Sequence, residues 1–289
     1  MYVIENDRLS VVIHPKGAEL QGIFNKMDAL EYLWGGDPAF WGKRSPVLFP
    51  IVGTLKGDTY FYDDKPYKLS RHGFARDMLF KVSDHRGDAI DLEIGNNEDT
   101  LPRYPFLFQL NIHYRLDHDE LLVSYRVRNK SKTDLYFSVG GHPAFRVPLV
   151  EGTDYTDYYL EFNADRELNR WPISPDGLIE MESIPLLGGT GILPLTRELF
   201  FKDALVFKHP ESSLVSLKSS KTQHGIDFNI SGFNYLGIWA AKNADFVCIE
   251  PWCGIADSVN SDQQLVHKEG IIKLKPGDLF EREWKARFF

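Results

Sequence analysis

The stretch Phe106-Leu107-Phe108-Gln109-Leu110-Asn111-Ile112-His113-Tyr114-Arg115-Leu116, followed by Asp117-His118-Asp119-Glu120 and Leu121-Leu122-Val123-Ser124-Tyr125-Arg126-Val127-Arg128, decides the fold class. Phe106, Phe108, Leu110, Ile112, Tyr114 and Leu116 alternate with Leu107, Gln109, Asn111, His113 and Arg115. A period of two suits a strand, whose side chains point to opposite faces in turn, and does not suit a helix. After the polar turn the alternation resumes, with Leu121, Val123, Tyr125 and Val127 opposite Leu122, Ser124, Arg126 and Arg128. The pattern predicts an antiparallel hairpin with one buried face.

Working outward, shorter runs with strand character lie on both sides. They are Leu9 to His14, Thr59 to Tyr62, Tyr67 to Leu69, Ile90 to Ile94, Leu135 to Val139 and Tyr158 to Phe162. Further on come Leu205 to Lys208, Leu214 to Lys218, Gly225 to Ile230, Tyr235 to Ala240, Phe246 to Glu250 and Ile271 to Leu274. Asp63-Asp64 and Lys275-Pro276-Gly277-Asp278 carry turn chemistry. No amphipathic helix longer than about two turns is evident, which argues against a parallel α/β sheet. Many short strands with regular turns indicate an all-β protein, a large antiparallel sandwich or a barrel. The Gly-, Pro- and Leu-rich segment from Trp171 to Arg197 reads as long loops over the sheets. With no linker, repeat or low-complexity tract, residues 1–289 read as a single domain.

Composition removes several function classes. The net charge of −8 and the lack of a basic run disfavour nucleic-acid binding, which needs a cationic footprint on the phosphates. No apolar stretch approaches 18 residues, and no charged-then-apolar leader precedes Tyr2, so neither a membrane span nor a secretory signal is expected. The two cysteines, Cys248 and Cys253, cannot build a disulfide framework, and they suggest reduced thiols in a cytoplasmic setting. They lack a second Cys/His pair at suitable spacing, so a metal site built from these two is not expected.

Three segments set titratable residues among glycines and aromatics. In Arg71-His72-Gly73-Phe74-Ala75-Arg76, Gly73 allows a tight turn that presents His72; the alternative is a solvated histidine on a surface loop. In Gly140-Gly141-His142-Pro143, the glycines let a ligand approach the backbone and Pro143 stops the ladder, placing His142 at a strand end. A structural histidine bound to a carbonyl is the competing reading. Glu250 closes the apolar run Phe246-Val247-Cys248-Ile249 ahead of Pro251-Trp252. Burial there would raise its pKa towards that of a working general base, unless the strand simply emerges into solvent. Gly188-Gly189-Thr190-Gly191 lacks the strand–loop–helix context of a phosphate loop. No serine sits in a nucleophile elbow.

Taken in order, these segments resemble the aldose 1-epimerase (galactose mutarotase-like) superfamily, closest to its LacX-like bacterial branch. The resemblance also rests on Gly17-Ala18-Glu19-Leu20, Leu33-Trp34-Gly35-Gly36-Asp37, Ser45-Pro46-Val47-Leu48-Phe49-Pro50-Ile51-Val52-Gly53 and a Pro-Gly-Asp turn before the last strand. It implies one large β-sandwich of the galactose mutarotase type with a cleft across one sheet. It also implies Glu250 as general base, His142 as general acid and His72 as a hydrogen-bonding partner, with no metal or organic cofactor. Asp203 resembles the aspartate that holds sugar hydroxyls. Arg44 and Arg76 resemble substrate positions of the hexose-6-phosphate branch, and Phe74 joins the binding set through its motif. Free-galactose enzymes carry an Asn-Arg pair where this chain reads Gly53-Thr54-Leu55-Lys56, so Lys56 is a partial stand-in and the sugar stays open. The function implied is a mutarotase acting on an aldose such as galactose or glucose, as a monomer or homodimer. Its alternatives are a hexose-6-phosphate mutarotase, a non-catalytic sugar-binding or regulatory protein, and a cupin-type metal isomerase.

Overall fold

A computed structural model describes residues 1–289, which form antiparallel sheets joined by turns and a few short 3-10 segments. The hairpin is present as strands Phe108–Asp117 and Glu120–Asn129, with Asp117 opposite Glu120 and His118-Asp119 as the loop. His118 takes φ +53° to close it, as a two-residue turn between twisted strands demands. Phe108, Leu110, Ile112 and Tyr114 are buried along one face, as the alternation requires. The second strand departs from the simple pattern, because Leu122 and Ser124 on its other face are buried as well. Ser124 is covered by the neighbouring C-terminal strand, where its hydroxyl donates to Glu283 at 2.6 Å.

This hairpin is the middle of a nine-stranded sheet. Its order is Ile192–Pro194, Tyr158–Phe162, Leu214–Ser219, Ile226–Asn229, Leu279–Phe288, Glu120–Asn129, Phe108–Asp117, Ala89–Gly95 and Lys81–His85. A six-stranded sheet faces it, running Leu205–Lys208, Tyr235–Trp239, Phe246–Cys253, Val139–Gly141 and Val47–Leu48, with Ala144–Arg146 also paired to Phe246–Cys253. Aromatic pairs mark where the inner faces meet: Phe145 on Phe228 at 5.7 Å, Phe162 on Phe207 at 5.9 Å and Phe49 on Phe108 at 5.0 Å between ring centres. The result is a sandwich, one of the two architectures the strand pattern allowed and the one the family resemblance implied, with one continuous core between the sheets. Each aromatic pair adds edge or offset attraction to its buried area. No helix is long and apolar enough to cross a membrane.

Two local expectations change. The segment 171–197 is not all loop: Ile184–Gly188 pairs with Glu167–Arg170, and Ile192–Pro194 forms an edge of the large sheet. Gly188 to Gly191 is the bend between them, with Gly189 and Gly191 at positive φ. The strand expected to end at Glu250 runs on to Cys253. Pro251 is tolerated there although it cannot donate to a ladder. Its neighbour Trp252 lies over Gly237 and Gly140, where an added Cβ would stand 2.4 Å and 2.9 Å from the indole. Those two strand glycines clear the floor of a cleft.

Candidate active site

Glu250, His142 and His72 meet in one cavity of about 470 Å³ on the outer side of the six-stranded sheet, a volume suited to a small ligand. Trp41, Arg71, Arg76, Asp203, Trp239 and Trp252 line it with them.

Glu250 stands mid-strand, flanked by Gly237 of Tyr235–Trp239. Cys248, Glu250 and Trp252 share the cleft face because strand side chains alternate. Glu250 is 1% exposed, so the sheet does not release it to solvent. His142 follows the Val139–Gly141 strand, and Pro143 turns the chain into Ala144–Arg146. Gly141 is needed there, since a Cβ would lie 2.5 Å from the Tyr125 hydroxyl. His142 Nε2 comes within 3.2 Å of Glu250 Oε2. The approach is close without hydrogen-bond alignment, and both Glu250 Oε2 and His142 Nδ1 are buried with no hydrogen-bond partner. Trp41 stacks on the His142 ring at 4.9 Å, and Trp239 meets its edge at 5.6 Å.

His72 is held by backbone rather than by side chains. Residues 72 and 73 both take positive φ, +68° and +70°. Gly73 presses against Phe49, whose carbonyl oxygen would be 2.4 Å from any Cβ. The His72 amide donates to the Gly53 carbonyl at 2.9 Å, and the Gly53 amide donates to His72 Nδ1 at 3.1 Å. With Nδ1 fixed as an acceptor, the neutral ring carries its proton on Nε2. The solvated-loop reading of this histidine is thereby replaced, since the residue is 6% exposed.

Burial dominates the electrostatics. It pushes the Glu250 carboxyl well above the usual carboxylate range, with the Arg71 charge opposing. It pulls His142 down to about 3 and takes His72 well below its ordinary value, the charges of Arg71 and Arg76 adding to the effect on both. The ordinary cause is the loss of water around the charged form. Arg71 and Asp203 pair across the mouth of the cavity at 3.2 Å. Asp203 holds φ +89°, an uncommon conformation for a residue with a side chain.

Three residues of the expected binding set do not line this cavity. Arg44 donates through Nη1 to the Gln21 carbonyl, and its amide donates to Glu19. Lys56 is spent on the carbonyls of Val259 and Ser261. Phe74 sits in the core among Phe49, Tyr104 and Phe108. Asp203 and Arg76 do reach the cleft. Residue patterns passed over Arg71 as a binding group and missed Trp41, Trp239 and Lys242. The strand glycines Gly140 and Gly237 were the available signal for the Trp252 floor. Metal-ligand spacing is absent along the chain, yet the fold brings ligand atoms of His142, Cys248 and Glu250 within 4.8 Å of one another.

A family model described as aldose 1-epimerase matches residues 1–283. The chromosomal LacX protein of Lactococcus lactis subsp. lactis is 33% identical over 291 residues, covering 97% of each chain, and the plasmid-borne LacX is 32% identical. The X-ray structure of a galactose mutarotase related enzyme from Lactobacillus acidophilus superposes with a TM-score of 0.95 at 35% identity, over 100% of this chain and 97% of that one. A galactose mutarotase-like protein from Lactobacillus casei gives 0.92 at 33%, over 100% of both.

Proposed function

The chain belongs to the aldose 1-epimerase family, and on that premise we propose that it interconverts the α and β anomers of an aldose by acid–base ring opening. The observation that carries this reading is the approach of His142 Nε2 to Glu250 Oε2, 3.2 Å apart at the floor of a solvent-poor cleft. Ring opening removes a proton from the anomeric hydroxyl and delivers one to the ring oxygen. Both oxygens are bonded to the same carbon, so the acid and base that serve them must be neighbours.

Glu250 accepts the hydroxyl proton and His142 donates to the ring oxygen. The C1–O5 bond breaks as the C1–O1 carbonyl forms. Rotation about C1–C2 presents the other face of the aldehyde, and closure runs the two roles backwards. Such a reversible exchange suits a carboxyl and an imidazole that hold one transferable proton between them. Their apo state favours neutral acid beside neutral imidazole; passing the proton across the gap yields carboxylate and imidazolium with no change in total charge. His72, with its proton on Nε2, donates a hydrogen bond to the oxygen on which charge develops. Asp203 and Arg71 hold sugar hydroxyls, and the tryptophans cover the apolar faces of the ring.

A second reading, a hexose 6-phosphate as substrate, is favoured by the cleft's cations. Arg71, Arg76 and Lys242 line it, and guanidinium groups suit phosphate oxygens. Exchange spectroscopy by NMR on a panel of free aldoses and their 6-phosphates tests both. Acceleration of anomer exchange for at least one sugar is expected. A preference for phosphorylated sugars that disappears in Arg76→Ala selects the second reading, and retention in that variant rejects it. A sugar-binding protein without catalysis would hold a ligand and accelerate nothing, which would sink the enzymatic reading.

A further inference from the structure

We propose that His142, Cys248 and Glu250 form a binding site for a soft divalent cation such as Zn²⁺, and that its occupation shuts the cleft down. One nitrogen, one sulfur and one oxygen ligand atom lie within 4.8 Å of one another, on buried residues. Nitrogen, thiolate and carboxylate are the ligands zinc takes, and three protein ligands with an open fourth position match its reactive sites. Two of the three residues, Glu250 and His142, line the cavity, so a ligand arriving there reaches them.

The platform is stiff. Cys248 and Glu250 are two residues apart on one strand, both fully inside the six-stranded sheet. His142 is held next to them at the end of Val139–Gly141. A second observation, the unmet hydrogen-bonding capacity of two of these residues, also points to a ligand. Glu250 Oε2 and His142 Nδ1 are buried without any hydrogen-bond partner, a costly state for polar atoms. Cys248 has no part in the acid–base chemistry. On the same face as Glu250, it is a buried free thiol. The other cysteine, Cys253, is an odd number of residues along the strand and faces the opposite sheet, where Arg282 and Tyr125 lie near it.

Ligation replaces the thiol proton, and any proton on the carboxyl, with the metal, and the protons leave to solvent. An ion in this place occupies the carboxylate and imidazole that the sugar needs. The inhibitory half of the proposal therefore rests on the acid–base reading of the site; the binding half does not.

Cobalt titration of the full chain separates the two. Co²⁺ added to the wild-type protein is expected to give a thiolate-to-metal charge-transfer band that saturates at one ion per chain and is displaced by Zn²⁺. The band is expected to vanish in Cys248→Ala and in Cys248→Ser, the second variant guarding against misfolding of the first. No band in the wild type, or the same band in both variants, overturns the site, whether or not the protein exchanges anomers. Where exchange is measured, Zn²⁺ is expected to inhibit the wild type at concentrations at least about tenfold below those needed for either variant. Equal inhibition of all three overturns the regulatory half.

Discussion

His72 shows how much a single contact can decide. The Gly53 amide donates to its Nδ1, which leaves Nε2–H as the group that can meet a substrate oxygen. The residue then acts as a neutral donor and needs no titration of its own. Glutamine places an amide N–H at similar reach, so His72→Gln should lose less kcat/KM than His72→Ala, and the alanine variant should lose about 10- to 100-fold. Anomer-exchange rates of the two variants check this, and equal losses would contradict the donor role. His72, His142 and Glu250 were visible in the sequence because each adjoins a glycine, a proline or a tryptophan that makes a polar residue look misplaced. Trp41, Trp239 and Lys242 carried no such local mark. They come from separate turns and strands, and only long-range pairing brings them to the same cavity. Arg44, Lys56 and Phe74 fail for the converse reason: their motifs are local, but their side chains are taken by carbonyls or by the core.

Among the elements, the loop that carries His72 is held by features that can be broken one at a time. Gly73→Ala adds a Cβ 2.4 Å from the Phe49 carbonyl oxygen at a φ of +70°. The expected loss of stability is about 2 kcal/mol or more, read from urea unfolding, and an unchanged midpoint would contradict the required close approach. Further along, Lys268 and Asp257 form an ion pair at 2.8 Å with side chains 2% and 3% exposed. Asp257 also accepts from the Lys56 amide and donates to the Thr54 carbonyl, tying down the segment that supplies Gly53. Lys268→Met should leave a buried carboxylate unpaired and cost roughly 3–5 kcal/mol. Adding Asp257→Asn to it should recover part of that loss; a double variant no better than the single would contradict the pairing account. Long strands such as Phe108–Asp117 were legible because ten residues repeat the period. Val47–Leu48 and Leu30–Glu31 have two residues each, too few to show one; the first exists because distant Gly140 and Gly141 supply its ladder, and the second is the short return of a hairpin from Glu19–Asn25. The Phe246–Cys253 strand extends past Pro251, a residue whose missing N–H gives a sequence no sign that the ladder continues.

Over the whole molecule, burying these groups in neutral form links the fold to pH. An unfolded histidine takes a proton near 6.5, whereas folded His142 resists until about 3 and His72 also lies well below its ordinary value. The histidine contribution is therefore complete above pH 6.5 and is lost as pH falls. Glu250 has the opposite sign, because its raised value makes its contribution complete below its ordinary 4.5 and lost as pH rises through and above it. Between these two ordinary values, Glu250→Gln should steepen the fall of unfolding free energy towards acid by up to about 1.4 kcal/mol per pH unit. His142→Gln should flatten it by a similar amount, and denaturant unfolding across that range measures both slopes. Parallel slopes in all three proteins would contradict the neutral burial of the pair. Strand period and turn chemistry narrowed the fold to an all-β sandwich or barrel, and the resemblance of the ordered motifs selected the sandwich, while the cleft depends on several strands of the six-stranded sheet, the turns beside them and glycines scattered from Gly53 to Gly237. The central claim is that this cleft opens and recloses a sugar ring through Glu250 and His142. Polarimetry on a freshly dissolved α-aldose tests it most directly, comparing the wild type with Glu250→Gln at equal concentration. A relaxation rate about 10²- to 10⁴-fold lower per enzyme molecule in the variant is the expected result, and equal rates in the two proteins would contradict it.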